Sequence, residues 1–239
     1  MNKAPPNTRL DPRGLAESFR RRAARGPDRS ALSFEGETWS YGEVQLRIER
    51  LSAVFANGGI KRGDRIGYLG FNHPLVMVAL FAAARLGAIL VPLNFRLASR
   101  ELAQIIDDAG VHTLIADAAH LPMINDVRGV LSCERYLAKD TSQDAAWESL
   151  DSALSEPLTV PPSVNGAPDD VVTLIYTSGT TGKPKGVMLS NRNFWANNLS
   201  WLLTSDFTSR DVTLNVAPLF HVGGLCAWSH CPPCWSEGI

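Results

Sequence analysis

The sequence carries no excess of charge. Its 23 Lys and Arg residues stand against 24 Asp and Glu residues, a formal net charge of -1 over 239 residues. That excludes nucleic-acid recognition by bulk charge, though not a local basic site. The one dense basic run, Arg20-Arg21-Arg22 with Arg25, falls in a predicted helix and is expected as its solvated face. No secretory leader is expected, because Met1 to Pro12 is polar and proline-bearing without an apolar segment. No clean membrane span appears either. Leu75 to Leu93 is long enough for the roughly 18 residues that cross a bilayer, but Arg85 sits inside it, Gly87 interrupts it and Pro92 ends it. A buried helix (Pro74 to Leu86), a Gly turn and a buried strand (Ala88 to Pro92) are expected instead. These absences predict a cytoplasmic protein, with peripheral membrane contact only through an apolar substrate. Internal repeats and low-complexity tracts are also missing.

What remains is an ordinary globular composition, 45% hydrophobic and 20% charged, arranged in alternation. A helix is expected from Leu15 to Ala24. Residues 30–41 (SALSFEGETWSY) pattern as a hairpin about Glu35-Gly36-Glu37. Ser40 and Glu43 form a capping box for a helix through Val44, Ile48, Leu51 and Phe55, stopped by Gly58-Gly59. A strand follows at Arg65 to Leu69. After the Pro74 helix and its following strand, Ser99 is expected to cap a helix over Glu101 to Asp108. Gly110 ends that helix, and Val111 to Ala116 is the next strand. This succession predicts an α/β fold, a parallel-type sheet flanked by helices, with ligands at the carboxyl ends of the strands. Residues 117–168 are less regular and end in a proline-bearing connection. Strands are then predicted at Val171 to Tyr176 and Val212 to Ala217, with Ser190 capping a helix to about Leu203 between them.

The segment after Val171 to Tyr176 is unlike its surroundings. Thr177 to Met188 holds three glycines, four hydroxyl side chains, two lysines and a proline. Glycines let a ligand approach the main chain, and successive amides in such a turn form a concavity that binds anions. Hydroxyls add donors and lysine adds a point charge, which together suit a triphosphate or pyrophosphate. It is neither a GxxxxGK[ST] loop nor GxGxxG: Gly179 and Gly182 are too close, and Pro184 follows Lys183.

The string Thr177-Ser178-Gly179-Thr180-Thr181-Gly182-Lys183-Pro184-Lys185-Gly186 resembles the signature of the adenylate-forming enzymes, the acyl-CoA synthetases among them. "TWSYGEV" at 38–44, "GDRIGYLGFNHP" at 63–74, "GAILVPLNFRLASRELAQIIDDAG" at 87–110 and "APLFHVGGL" at 217–225 are similar to family segments in order and spacing. Within the superfamily the run most resembles bacterial fatty-acyl-CoA synthetases. The resemblance implies that ATP and a carboxylic acid, most readily a fatty acid, give acyl-adenylate and pyrophosphate. The thiol of CoA then displaces AMP. It also implies that Thr177, Ser178, Gly179, Thr180, Thr181 and Gly182 bind ATP, and that Lys185 is the catalytic lysine that neutralises phosphate charge. Mg2+ would bridge the phosphates with help from Thr177. His221 would stand beside the acyl and adenylate pocket. Gly223 and Gly224 either let an acyl chain pass the backbone or simply make a turn. Asn191 stands where the family has a histidine, a departure expected to matter little.

The family's chains are about twice this length. Residues 1–168 are expected as an N-terminal α/β subdomain and 169–225 as the start of a second subdomain with the phosphate loop. This would be the truncated N-terminal part of the large domain of an acyl-CoA synthetase. Residues 226–239 (CAWSHCPPCWSEGI) depart from the family and hold three of the four cysteines. They are expected to be a frameshift or truncation product. A metal site from Cys226, His230, Cys231 and Cys234 is the weaker alternative. The adenine- and ribose-binding residues and the lysine-bearing C-terminal domain have no counterpart here. This chain alone is therefore not expected to make acyl-CoA, and a non-catalytic nucleotide-binding remnant is the competing reading. The residues carry no signal of oligomeric state and none of a nucleic-acid partner.

Overall fold

The computed structural model describes residues 14–140, 144–177, 184–206, 208 and 211–229. In chain order it contains α1 (Leu15–Arg25), β1 (Ser30–Phe34), β2 (Glu37–Ser40), α2 (Tyr41–Asn57), β3 (Arg65–Leu69) and α3 (Pro74–Leu86). Next come β4 (Ile89–Leu93), α4 (Ser99–Ala109), β5 (Val111–Asp117), α5 (Leu121–Asn125), β6 (Arg135–Lys139), β7 (Glu148–Ser149) and α6 (Leu150–Ser155). The described chain closes with β8 (Val171–Thr177), β9 (Lys185–Ser190), α7 (Asn191–Thr204) and α8 (Val222–Ser229).

Seven strands form one sheet in the order β7-β6-β5-β3-β4-β8-β9. Every neighbouring pair is parallel except β8 with β9, which closes one edge as an antiparallel pair. The α/β architecture expected from the alternating elements is thus present. Strands β8 and β9, from beyond residue 168, continue the same sheet.

Alternate strand residues face two separate cores, as a sheet covered on both faces requires. Ile66, Tyr68, Leu90, Ile115 and Leu137 pack with α1, α2 and α3. Leu69, Val91, Leu93, Leu114 and Ala116 pack with α4 and α5. Helix α3 lies deepest, with every residue but Leu75 buried. This accounts for the long apolar run without a membrane, and no described helix is long and apolar enough to cross one. Arg85, the charge inside that run, is only 9% exposed. Its Nη2 donates to Pro161 O at 2.9 Å, and its own carbonyl accepts from Val164 N at 2.9 Å. The arginine therefore fastens the proline-bearing connection across the end of α3.

Local chemistry sets the element ends. Glu35 and Gly36 both have positive φ (50° and 82°) and turn the β1–β2 hairpin, a geometry that glycine permits at little cost. Ser40 Oγ accepts from Glu43 N at 3.2 Å while Glu43 Oε2 accepts from Ser40 N at 2.7 Å, the expected capping box. Helix α1 buries Leu15, Phe19 and Ala23. Arg20 and Arg21 both reach Glu17 at 2.7 Å on its exposed side, and they hold the Glu17 carboxyl down at about 2. Such surface pairs contribute under about 1 kcal/mol, against about 1.5–3 kcal/mol for each large buried apolar side chain, so burial docks this helix.

Three expectations are corrected. Ser99 is the first residue of α4 and not its cap; Ala98 holds the extended cap conformation and donates its N–H to Glu101 Oε2 at 2.9 Å. Val212 to Ala217 forms no strand. It alternates apolar residues, but Val212, Leu214 and Val216 are 63%, 52% and 74% exposed, and no described strand offers it a ladder. The stretch 117–168 is more regular than expected, supplying β6, β7, α5 and α6.

His73 caps α3: its Nδ1 accepts from Leu75 N at 3.0 Å. Its ring meets Phe34 edge-on at 5.1 Å. Burial, aided by Lys139, pushes the imidazole down to about 4. The folded pKa lies below the unfolded value of about 6.5, so the unfolded chain gains a proton first as pH falls. Stability is therefore expected to drop by about 1–3 kcal/mol between pH 6.5 and 4, and to level off below that. Urea titrations should show a flatter pH profile in His73→Asn, which keeps an N-cap acceptor but does not titrate. Matching profiles would exclude His73 as the source.

Candidate functional site

The carboxyl ends of β4 and β8 open on one side of the sheet, and the hydroxyl- and lysine-rich loop joins β8 to β9. Thr177, the last residue of β8, pairs with Lys185, the first of β9. Both are exposed. Ser178, Gly179, Thr180, Thr181, Gly182 and Lys183 lie outside the described residues. The loop thus returns into an antiparallel strand before Ser190, which was expected only as a helix cap. That cap also forms, with Ser190 Oγ accepting from Asn193 N at 3.4 Å.

Tyr176 braces both ends of the loop. Its phenol donates to Asp108 Oδ2 at 2.5 Å, tying the hairpin to the last turn of α4. Its ring lies across Gly186, where an added Cβ would stand 3.0 Å from the ring. Glycine at 186 therefore answers a close approach. Burial, then the bond to Asp108, pushes the phenol's pKa well up, so Tyr176 is a fixed donor and not a base.

Beside the hairpin lies a cleft of ≈ 380 Å³. Pro92, Leu93 and Asn94 at the end of β4 form its floor, and Leu97, Glu101, Gln104 and Ile105 form the α4 wall. Tyr176, Thr177 and Pro184 come from the hairpin, and Phe220 and His221 from the segment before α8. The structure therefore brings Thr177 and His221 to one cavity. Lys185 follows Pro184 at its edge and is not itself part of the wall. His221 is exposed, and its Nδ1 accepts from Gly223 N at 3.3 Å. In the neutral ring this leaves the proton on Nε2.

Gly223 and Gly224 make no separate turn, because both belong to the first turn of α8. Neither lines the cleft. An added Cβ on Gly224 would fall 2.2 Å from Pro218 O, so this glycine lets α8 start directly against the Pro218 carbonyl. Cys226 continues the helix, and burial pushes its thiol up to about 11. That disfavours the thiolate a metal requires. His230, Cys231 and Cys234 lie outside the described residues, among which no cluster fit for a metal occurs.

Other rim residues were not singled out in the sequence. Asn72 bonds to two backbone groups of the 217–219 segment. Asp117, 6% exposed, accepts from Phe71 N at 2.9 Å and pairs with His120. Phe95 meets Phe71 at 5.0 Å and Phe220 at 5.3 Å, both edge to face, which extends an aromatic tier to the cleft. The sequence signals were position, since "GFN" directly follows a strand at the ligand-binding end of a parallel sheet, and the family-like segments at 63–74 and 87–110 that contain Phe71, Asn72 and Phe95.

A family model described as "AMP-binding enzyme" matches residues 19–235. Among curated proteins, a feruloyl-CoA synthase from Amycolatopsis sp is 37% identical over 212 residues, covering 89% of this chain and 40% of its own length. A long-chain-fatty-acid–CoA ligase from Thermus thermophilus is 34% identical over 193 residues, covering 78% of this chain and 35% of its own. Among solved structures, the inhibitor-bound N-terminal domain of FACL13 from Mycobacterium tuberculosis superposes with a TM-score of 0.83 at 29% identity. That match covers 94% of this chain and 57% of the other. The chain thus spans well under half the length of these curated relatives.

Proposed function

The chain belongs to the AMP-binding enzyme family, and on that premise we propose that it holds the phosphate-gripping and acid-facing part of an acyl-CoA synthetase. The observation that carries this is the β8–β9 hairpin, with Thr177 and Lys185 facing each other at the root of a donor-rich loop beside a cleft lined by both apolar and polar side chains. The substrate is a hydrophobic carboxylic acid, a fatty acid first, with ATP and CoA as co-substrates.

In the first step a carboxylate oxygen attacks the α-phosphorus of ATP. The bond to the bridging oxygen breaks and pyrophosphate leaves. The loop, Thr177 to Gly182, grips the β- and γ-phosphates through hydroxyls and amides, and Lys185 neutralises their charge. In the second step, which this chain alone is not expected to complete, the sulfur of CoA attacks the acyl carbon and releases AMP, while the thiol loses its proton. Thr177 offers an exposed hydroxyl oxygen, a hard donor of the kind Mg2+ takes alongside phosphate oxygens. Mg2+ there would offset phosphate charge. His221 presents an Nε2–H donor at the cleft edge, suited to the carboxylate or the adenylate carbonyl.

ATP–pyrophosphate exchange with a panel of fatty and aryl carboxylic acids tests this. Acid-dependent exchange, highest with a hydrophobic acid, is the expected result. ATP binding without exchange would replace it with the nucleotide-binding remnant.

A further inference from the structure

We propose that Asn72 is a positioning residue that sets where Phe220 and His221 stand over the cleft. The inference deepens the function proposed above and rests on it. Asn72 lies three residues beyond the carboxyl end of β3, an inner strand flanked by β5 and β4. Its Nδ2 donates to Ala217 O at 3.0 Å, and its Oδ1 accepts from Leu219 N at 2.9 Å. The side-chain amide therefore pairs with both sides of Pro218 as a strand neighbour would. Only one orientation of the amide satisfies a carbonyl on one side and an N–H on the other.

The segment it grips is otherwise held by Asn215, whose Oδ1 accepts from Ala217 N at 3.2 Å and whose Nδ2 donates to Gly224 O at 3.0 Å, and by the buried Leu219. Residues 211–216 form no regular structure, and their apolar side chains face outward. From Pro218 the path to the site is short. His221 N donates to Pro218 O at 3.1 Å, and Leu225 N to His221 O at 2.9 Å. Gly224 rests on the same Pro218 carbonyl. Phe220 turns its ring against Phe95, which closely follows β4. A rotation of the Pro218 turn would carry His221, Phe220 and the start of α8 together. Asn72 references that turn to the rigid middle of the sheet. The Thr177–Lys185 hairpin is held separately, by its own ladder and by Tyr176 with Asp108.

This separation gives the test. In Asn72→Ala, amide hydrogen exchange at Leu219 should accelerate by about tenfold or more, with the amides of β3 and β4 unchanged. In the ATP–pyrophosphate assay, KM for the acid should rise about tenfold while KM for ATP stays within about twofold. Asn72→Asp, which keeps an acceptor but loses the donor, should leave Leu219 protected and raise the acid KM less. Unchanged exchange at Leu219 would overturn the clamp. An equal rise in both KM values, or none, would overturn the positioning role. If the unsubstituted chain shows no acid-dependent turnover, the proposed function fails, and with it any role for Asn72 in that reaction.

Discussion

Replacing Lys185 with alanine is expected to lower ATP–pyrophosphate exchange by about 10²–10³-fold, the scale set by removing one fixed charge-stabilising donor from an acyl- or phosphoryl-transfer site. The position makes the experiment clean. Lys185 is exposed at the first residue of β9 and makes no ion pair among the described residues. Its backbone, not its side chain, joins it to Thr177. Truncation should therefore move stability by no more than about 0.5 kcal/mol, and the thermal midpoint should hardly change. On the proposed function the ammonium acts where charge gathers on departing pyrophosphate, so the loss should fall mainly on kcat. Lys185→Arg should recover part of the rate, because it keeps the charge on a bulkier head. Lys183→Ala should cost much less, since the resemblance places the functional lysine at 185. A folded Lys185→Ala chain with exchange within a few-fold of the parent would remove Lys185 from the mechanism.

What could be foreseen from the sequence divides along a physical line. Features determined locally were visible. The Ser40–Glu43 box, the Glu35-Gly36 turn and the αβ alternation depend on residues within a few positions of each other, and all are present. Features that depend on a distant partner were not. Strand β9 was missed because Val187 and Met188 remain 45% and 67% exposed, so no apolar alternation marks it; its ladder with β8 creates it. Residues 212–217 show the reverse, alternation with no partner to pair with. The candidate site divides in the same way. The loop was visible as a run of residue types, and the family resemblance named Thr177, Lys185 and His221 as candidates. Asn72 acts on residues 145 and 147 positions away, and no local pattern in "GFNHP" announces that reach.

Asn191 carries the same lesson to stability. It stands at the family's histidine position and was expected to matter little, yet it is 3% exposed and bonded on all sides. Its Oδ1 accepts from Leu15 N at 2.8 Å, satisfying one of the first N–H groups of α1, whose cap residue Gly14 supplies no side-chain bond. Its Nδ2 donates to Ala167 O at 2.9 Å, and its own N–H donates to Asp170 O at 3.0 Å. Three segments far apart in sequence therefore meet at one amide: the start of α1, the end of the proline-bearing connection and the start of α7. The fit is close, since an added Cβ on Gly166 would lie 2.9 Å from that Nδ2. Asn191→Leu keeps nearly the same volume and strands a buried N–H and a carbonyl. At about 1–3 kcal/mol each, the expected loss is about 2–5 kcal/mol, a large share of the roughly 5–15 kcal/mol that holds a typical domain. Asn191→Asp keeps the acceptor for Leu15 near a helix N-terminus that favours negative charge, and should lose less. Denaturant midpoints for the three proteins check the order, with the parent highest and Asn191→Leu lowest. Equal midpoints for Asn191→Leu and the parent would mean that water replaces both bonds and that the junction is held by its surrounding contacts. The Arg62–Asp170 pair at 2.6 Å, half exposed on the arginine side, is too solvated to hold it alone.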